Sequence, residues 1–368
     1  MHKILTVLLI SMTTPLYAIP SINFEHKDWQ LVCDNTGTCR AVGYGASEEY
    51  FTIMIEREAG EQSEPKVYIK TALMDIDWFD SLKSKSRSLP DTAELWLNGQ
   101  KIGKFTNSGA NATSVGDFTL WQGVALTAEQ SKAIISSLKG KTDLRYRLGN
   151  FNWAISDAGS TAVLLKMDEF QKRVGKPTAL IRPGNDRSAV LAPQVKPQVK
   201  AAPVSSEKSF VIKSGTERYN QIRQLIKDAH SSQCSDWISL DDDNEYGMLD
   251  FEITPLNHEL NLVSTSCWTA AYNGGSFFAV LNKDLSKLVQ TIQTDDYYGY
   301  IGYQTYQNGE LSAQNKGRGI GDCWVGTTAQ WNGKTFEKTT DWTSGLCRGY
   351  PGGAWHLPEY VAEMIPAK

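Results

Sequence analysis

Residues Asn315 to Tyr360 read NKGRGIGDCWVGTTAQWNGKTFEKTTDWTSGLCRGYPGGAWHLPEY. The stretch holds two of the six cysteines, Cys323 and Cys347, and four of the eleven tryptophans. Trp324-Val325 opens a strand, and Trp331-Asn332-Gly333 supplies a turn, because Asn and Gly tolerate the positive φ of a tight hairpin. The reading is a β-hairpin region closed by a Cys323–Cys347 disulfide at the end of a secreted, β-rich domain. The same theme, an aromatic followed by Asn-Gly, stands upstream at Tyr272-Asn273-Gly274 and Tyr306-Gln307-Asn308-Gly309. The series predicts an antiparallel meander, with too few copies for a closed propeller.

Further out, the first eighteen residues read as a secretory signal. Lys3 precedes an apolar core from Ile4 to Met12, Pro15 breaks it, and Leu16-Tyr17-Ala18 offers a cleavage site. The alternative is an uncleaved anchor, but the apolar core is short for a bilayer span. Ile19, not Cys, follows the cleavage point, so no lipid anchor is expected, and no transmembrane anchor remains after cleavage. The formal charge is −4, from 37 basic and 41 acidic residues, which argues against a nucleic-acid partner. An even cysteine count behind a signal peptide predicts disulfides, paired between neighbours as Cys33–Cys39, Cys234–Cys267 and Cys323–Cys347. Chain entropy puts each at roughly 2.5 to 4 kcal/mol. A metal site would need a spacing such as C-x-x-C, and none occurs.

The length predicts two domains. The fold class is α+β: two mainly antiparallel β domains with few helices, stapled by disulfides. Residues 19–181 form the first. Trp29 to Val32 runs into Cys33, Asp34-Asn35-Thr36-Gly37 turns, and Cys39 returns opposite. A structural staple is the plain reading of that pair, and a redox pair the sharper one. Phe51–Arg57 and Lys66–Lys70 are strands, and Asn98-Gly99 joins two more. Thr127-Ala128-Glu129-Gln130 is a capping box for a helix ended by Gly140. A second helix starts near Ser156-Asp157 and buries Val163, Met167, Phe170 and Val174. Residues 182–208 are proline-rich, lack aromatics and read as an interdomain linker, the alternative being a long surface loop. Residues 209–368 begin with a helix capped at Ser214-Gly215-Thr216-Glu217 that buries Tyr219, Ile222, Ile226 and Ala229. Strands follow, with Gly247 to Ile253 alternating in polarity.

Candidate chemistry is sparse. Asp241, Asp243 and Glu245 alternate, with Glu252 where a calcium loop would place its last ligand, but Tyr246 stands where that loop needs glycine. A solvated acidic turn is the alternative to a metal site. The five histidines form no zinc pair. His26 with Asp28 is an acid–base pair or two exposed strand positions. There is no nucleophile elbow, P-loop or dinucleotide fingerprint, and no cofactor is expected. The sharper site lies around the Cys323–Cys347 bridge. It draws Arg318, Asp322 and Arg348 together, with Tyr350, Trp355 and His356 following. Arginine forks suit carboxylates and phosphates, and aromatics add stacking area, so the cluster reads as an anionic-ligand or protein-docking surface. The competing reading is a structural Arg–Asp pair beneath a tryptophan-rich core.

FEHKDWQLVCDNTGTCRAVGY (24–44), the helix around Leu164-Leu165-Lys166-Met167-Asp168, and KGRGIGDC (316–323) with CRGYPGGAWHLPEY (347–360) together resemble one bacterial secreted family, catalogued as domain of unknown function 1176. The resemblance covers nearly the whole mature chain. The opening is also similar to invasion-associated locus B proteins, which are periplasmic and β-rich. The first resemblance implies a Gram-negative envelope protein of the periplasm and carries over no catalytic residue. The expected function is therefore a binding or interaction module for an envelope protein or a peptidoglycan-derived anionic fragment. Its rivals are a cell-wall hydrolase or transferase using carboxylates such as Asp241, Asp243 or Asp322, and a metal-binding envelope protein.

Overall fold

A computed structural model describes residues 19–47, 49–74, 92–106, 112–115, 118–228, 250–292 and 303–367. In chain order its first part gives β1 (Ile22–His26), β2 (Trp29–Cys33), β3 (Cys39–Tyr44), β4 (Phe51–Arg57), β5 (Lys66–Met74), β6 (Thr92–Leu97), β7 (Gln100–Thr106), β8 (Ala112–Val115), β9 (Phe118–Ala125), helix α1 (Ala128–Ser137), β10 (Leu144–Leu148), β11 (Phe151–Ile155) and helix α2 (Ser160–Phe170). The remainder gives β12 (Gln198–Lys200), β13 (Phe210–Ile212), helix α3 (Glu217–Asp228), β14 (Phe251–Pro255), β15 (Leu260–Thr269), β16 (Gly274–Asn282), β17 (Leu288–Ile292), β18 (Thr305–Gln307), β19 (Glu310–Lys316), β20 (Trp324–Trp331), β21 (Phe336–Thr343), β22 (Leu357–Val361) and β23 (Glu363–Ile365).

The molecule is α+β and dominated by antiparallel sheet. A seven-stranded sheet, ordered β1-β2-β3-β4-β5-β9-β8, faces a four-stranded sheet, β11-β10-β6-β7. Alternate residues of both, such as Leu31, Ile53 and Ile55 against Leu95, Leu144 and Tyr146, share one core with Ile134 of α1 and Val163 and Met167 of α2. Downstream, the sheet β13-β14-β15-β16-β17 carries α3 on one face, where Ile222 and Ile226 meet Phe251 and Ile253. Its other face packs on the sheet β18-β19-β20-β21-β22 through Leu262, Phe278, Val280, Trp331 and Phe336.

Local signals hold in detail at several points. Cys33 pairs with Cys39 across the β2–β3 ladder and is bonded to it. Both halves of the Thr127/Gln130 capping box are present. Asn98 and Gly99 take φ of 49° and 82°, the paired positive values of a two-residue hairpin. Asn308 and Gly309 do the same at 48° and 88°.

Others are corrected. Of the three upstream and downstream Asn-Gly hairpins, only Asn308-Gly309 is a two-residue turn. The side chain of Asn332 instead accepts the amides of Lys334 and Thr335, closing a longer loop. The side chain of Asn273 is drawn to the backbone of Lys316. α2 begins only at Ser160, because Gly159 takes φ +103° and a side chain there would strike the His26 carbonyl. Val174 lies beyond that helix and is 38% exposed, not core. α3 is capped by Thr216, whose Oγ1 accepts the Tyr219 amide, rather than by Ser214.

The proline-rich stretch from 182 to 208 lies along both halves instead of spanning free solvent. Leu191 and Val199 are buried, the Leu191 carbonyl accepts from Gly60, and β12 pairs in parallel with β23. Its own side chains could not order it; the surfaces beneath it do. Contact between the halves is also direct. The outer face of the seven-stranded sheet, through Val32, Val42, Tyr44, Met54 and Ala72, is covered by Tyr350, Ala354 and Leu357. The segment from Gly345 to Leu357 thus folds back over the first sheet.

Candidate functional site

The second bridge forms as expected: Cys323 and Cys347 are bonded, with their Cα atoms 4.8 Å apart. Cys323 is buried and Cys347 exposed. Gly317 lies flat against them, since a Cβ there would come within 2.6 Å of the Cys323 sulfur. Cys234 and the side chain of Cys267 lie outside the described residues, and so do Asp241, Asp243 and Glu245.

Around the bridge the arginines are already committed. Asp322 is only 1% exposed. Both its oxygens accept from the Arg318 guanidinium, and Oδ2 also accepts the Gly349 amide at 2.7 Å. Arg348 donates to Asp28 Oδ1 at 2.8 Å and to the Lys27 carbonyl at 2.9 Å. Asp28 is therefore the partner of an arginine and not of His26. The Asp322 carboxylate is thus engaged by an ion pair with Arg318 and a backbone hydrogen bond from Gly349. It also lies, with the two sulfurs, in a group whose ligand atoms are within 4.8 Å of one another. Bonded sulfurs present no thiolate, so that group is a stapled ion pair and not a metal centre.

The aromatic part of the expected cluster goes elsewhere. Tyr350 is buried in the contact between the halves. Lys70 of β5 reaches across that contact, donates to the Ala354 carbonyl at 2.8 Å, and lies over the rings of Tyr350 and Trp355. Burial pulls the Lys70 ammonium below its ordinary pKa and pushes the Tyr350 phenol well above its own. Trp355 donates to Thr52 Oγ1 at 3.0 Å. The His356 ring lies tilted against that of Trp342 with centroids 4.9 Å apart, and desolvation with nearby Arg40 lowers its pKa. Tyr350 and Trp355 lie in the contact between the halves, His356 is exposed beside Trp342, and none of the three lines the cavity at the bridge.

What faces the bridge is a cavity of about 330 Å³. One wall is the disulfide with Trp324, Val325, Thr343 and Leu346; the other is the tip of the first hairpin, with Glu25 and Lys27. The tip reaches it because Lys27 takes φ +55° in the β1–β2 turn and Arg348 ties that turn down. Burial raises the Glu25 pKa, opposed by Arg348. Lys27 makes no ion pair among the described residues, so it is a free cation at the mouth. Beside the mouth, the loop from Lys316 to Asp322 leaves Ile320 69% exposed and Tyr272 48% exposed. The two belong to one surface, because Gly319 sits against the Tyr272 ring and Asn273 is bonded to Lys316.

Sequence reasoning found the bridge, Arg318, Asp322 and Arg348, but not Glu25, Lys27, Leu346, Tyr272 or Ile320. The only trace of the first two was the hairpin turn itself, which says nothing of a contact more than three hundred residues along the chain.

This chain is similar to the uncharacterized protein YpfG of Escherichia coli (strain K12), at 22% identity over 364 residues, covering 94% of this chain and 93% of that protein. No solved structure matches it significantly. The family model described as Protein of unknown function (DUF1176) matches residues 23–362, and the chain belongs to that family.

Proposed function

We propose that this protein is a non-enzymatic binding module of the Gram-negative periplasm, and that the cavity beside Cys323–Cys347 docks a segment of an envelope protein. The observation that carries the reading is the pairing of a preformed apolar cavity with an uncommitted cation, Lys27, and a shoulder of exposed Ile320 and Tyr272. Interfaces draw their affinity from a large apolar or aromatic anchor in a desolvated pocket, ringed by groups that contribute less. Lys316, held over the Trp324 ring at 5.2 Å, adds a second positive group nearby. The complementary segment carries one large apolar residue flanked by carboxylates.

Disulfide-locked walls keep such a pocket open without ligand, which lowers the ordering cost of binding. The arginines also have a structural role. Arg318 fixes the Gly317–Asp322 loop and Arg348 the hairpin tip, so both shape the pocket, and Arg348 also lines it.

The test is to pan a displayed random-peptide library against the oxidised mature protein and its Lys27→Glu and Ile320→Asp forms. Enriched peptides should share an apolar anchor with adjacent Asp or Glu, and should lose at least about tenfold in affinity for either variant, or about 1.4 kcal/mol. Absence of enrichment, or equal binding to all three forms, would overturn the reading.

A further inference from the structure

A second cavity, of about 310 Å³, lies away from the disulfide, between the β13–β17 sheet and β18. The face of β14, β15 and β16 that packs on the neighbouring sheet changes chemistry partway along. Where it is covered it presents Leu262, Phe278 and Val280. One step along the same face the ladder sets Glu252 opposite Ser264 and Ser266 opposite Ser276. Residues two apart on a strand share a face, so the apolar set and the hydroxyl set form one continuous surface. This end of the face is open to solvent: Thr254 and Ser264 are half-buried, and Glu252 and Ser266 are exposed.

Of these hydroxyls, that of Ser276 donates to the Gln304 carbonyl at 3.4 Å. Thr254, Ser264 and Ser266 line the cavity, and their hydroxyls have no hydrogen-bond partner among the described residues. Glu252 accepts from Ser209 through Oε1 at 2.9 Å, which leaves its other oxygen open. Asp250 is taken by Lys213 and the Ser214 amide and held below the usual carboxylate range by them. The half-buried ring of Tyr306, edge-on to Phe336, supplies an apolar wall. Among the described residues no basic side chain lines the cavity, and Lys213 reaches it only through its pair with Asp250.

We propose that this cleft binds an uncharged saccharide. Hydroxyls that both donate and accept match a ligand whose own groups are hydroxyls, and a carboxylate oxygen accepts from them. An aromatic wall suits the C–H face of a sugar ring. Glu252, which has no cation paired to it among the described residues, disfavours phosphates and acidic sugars. The volume lies at the small end of ligand cavities and holds about one or two sugar rings.

The experiment is calorimetric titration of the full mature chain with N,N′-diacetylchitobiose, maltotriose and, as the anionic comparator, digalacturonic acid. Saturable binding of a neutral saccharide is expected. Ser264→Val and Glu252→Gln should each weaken it by about tenfold or more. Ser264→Val removes the hydroxyl with a β-branched residue that suits a strand, and an unchanged melting temperature would confirm that it folds. Lys27→Glu, in the other cavity, should bind as the wild type does. The proposal is overturned if no neutral saccharide binds saturably. It is also overturned if folded Ser264→Val binds as well as the wild type, if digalacturonate is preferred, or if Lys27→Glu abolishes the binding.

Discussion

At the residue scale the largest single commitment is one that no sequence motif announced. Arg57 and Asp168 are both fully buried and bonded at 2.8 Å. Gln171 accepts from Arg57 and donates to the carbonyls of Gly37 and Arg57, while Asp168 also accepts the amides of Leu180 and Ile181. The network pins α2 and the segment after it to the first sheet. Removing one partner of a buried pair leaves the other charge uncompensated, so Asp168→Ala should cost about 3 to 5 kcal/mol, measured by denaturant unfolding.

Glu359 gives a pH-dependent counterpart. Burial raises its pKa to about 7, against the single hydrogen bond from Asn23. A carboxyl whose folded pKa exceeds its unfolded value of about 4.3 binds more protons when folded. Its stabilisation is complete below the unfolded pKa and is lost as pH rises through about 7. Between pH 5 and 8, Glu359→Gln should therefore gain roughly 2 to 3 kcal/mol relative to the wild type. Parallel stability curves would contradict this. Neither site was legible beforehand, because both depend on which strands and helices meet, and a lone Asp or Glu carries no record of that.

At the element scale the sequence was far more legible. Turn chemistry and alternation placed the Cys33–Cys39 hairpin, the Asn98-Gly99 and Asn308-Gly309 turns and the α1 cap, because these are contacts within a few residues. It misplaced the start of α2, where the close approach of Gly159 to the His26 carbonyl, which leaves no room for a side chain, decides the boundary and neither residue signals the other. The same distinction runs through the candidate site. The Cys323–Cys347 bridge brings together Arg318, Asp322 and Arg348, as spacing allowed, whereas Tyr350, Trp355 and His356 were assigned to it by proximity in sequence and turn the other way. The bridge closes a loop with a sequence separation of 24. Replacing both cysteines with alanine should cost about 3 kcal/mol by chain entropy and loosen the cavity wall, read as a lower melting temperature under non-reducing conditions. Gly317→Ala should have a related effect, because its methyl group would meet the Cys323 sulfur at 2.6 Å.

At the scale of the whole molecule the two halves depend on each other. Tyr44 accepts the Leu346 amide at 3.0 Å, Asn35 exchanges two hydrogen bonds with Val361, and Lys70 crosses to Ala354. Residues 19–208 expressed alone would expose the apolar patch that Tyr350, Ala354 and Leu357 now cover. Such a fragment should bind a hydrophobic dye and self-associate, which size-exclusion chromatography would show; a monodisperse, dye-silent fragment would argue that the contact is dispensable. The composition of the 182–208 stretch made it look like a spacer, and only the surfaces it lies on reveal it as part of the joint.

The proposed docking cavity sits at this joint, with one wall from each half, so its shape reports on the assembled chain. The most direct measurement is in-cell photo-cross-linking from benzoylphenylalanine at Ile320, beside the cavity, and at Val289, an exposed residue of β17, as the comparator. A discrete protein adduct from position 320, absent from 289 and suppressed by Lys27→Glu, is the predicted result. No adduct at 320, or the same adducts from both positions, would contradict the claim that this cavity docks a protein partner.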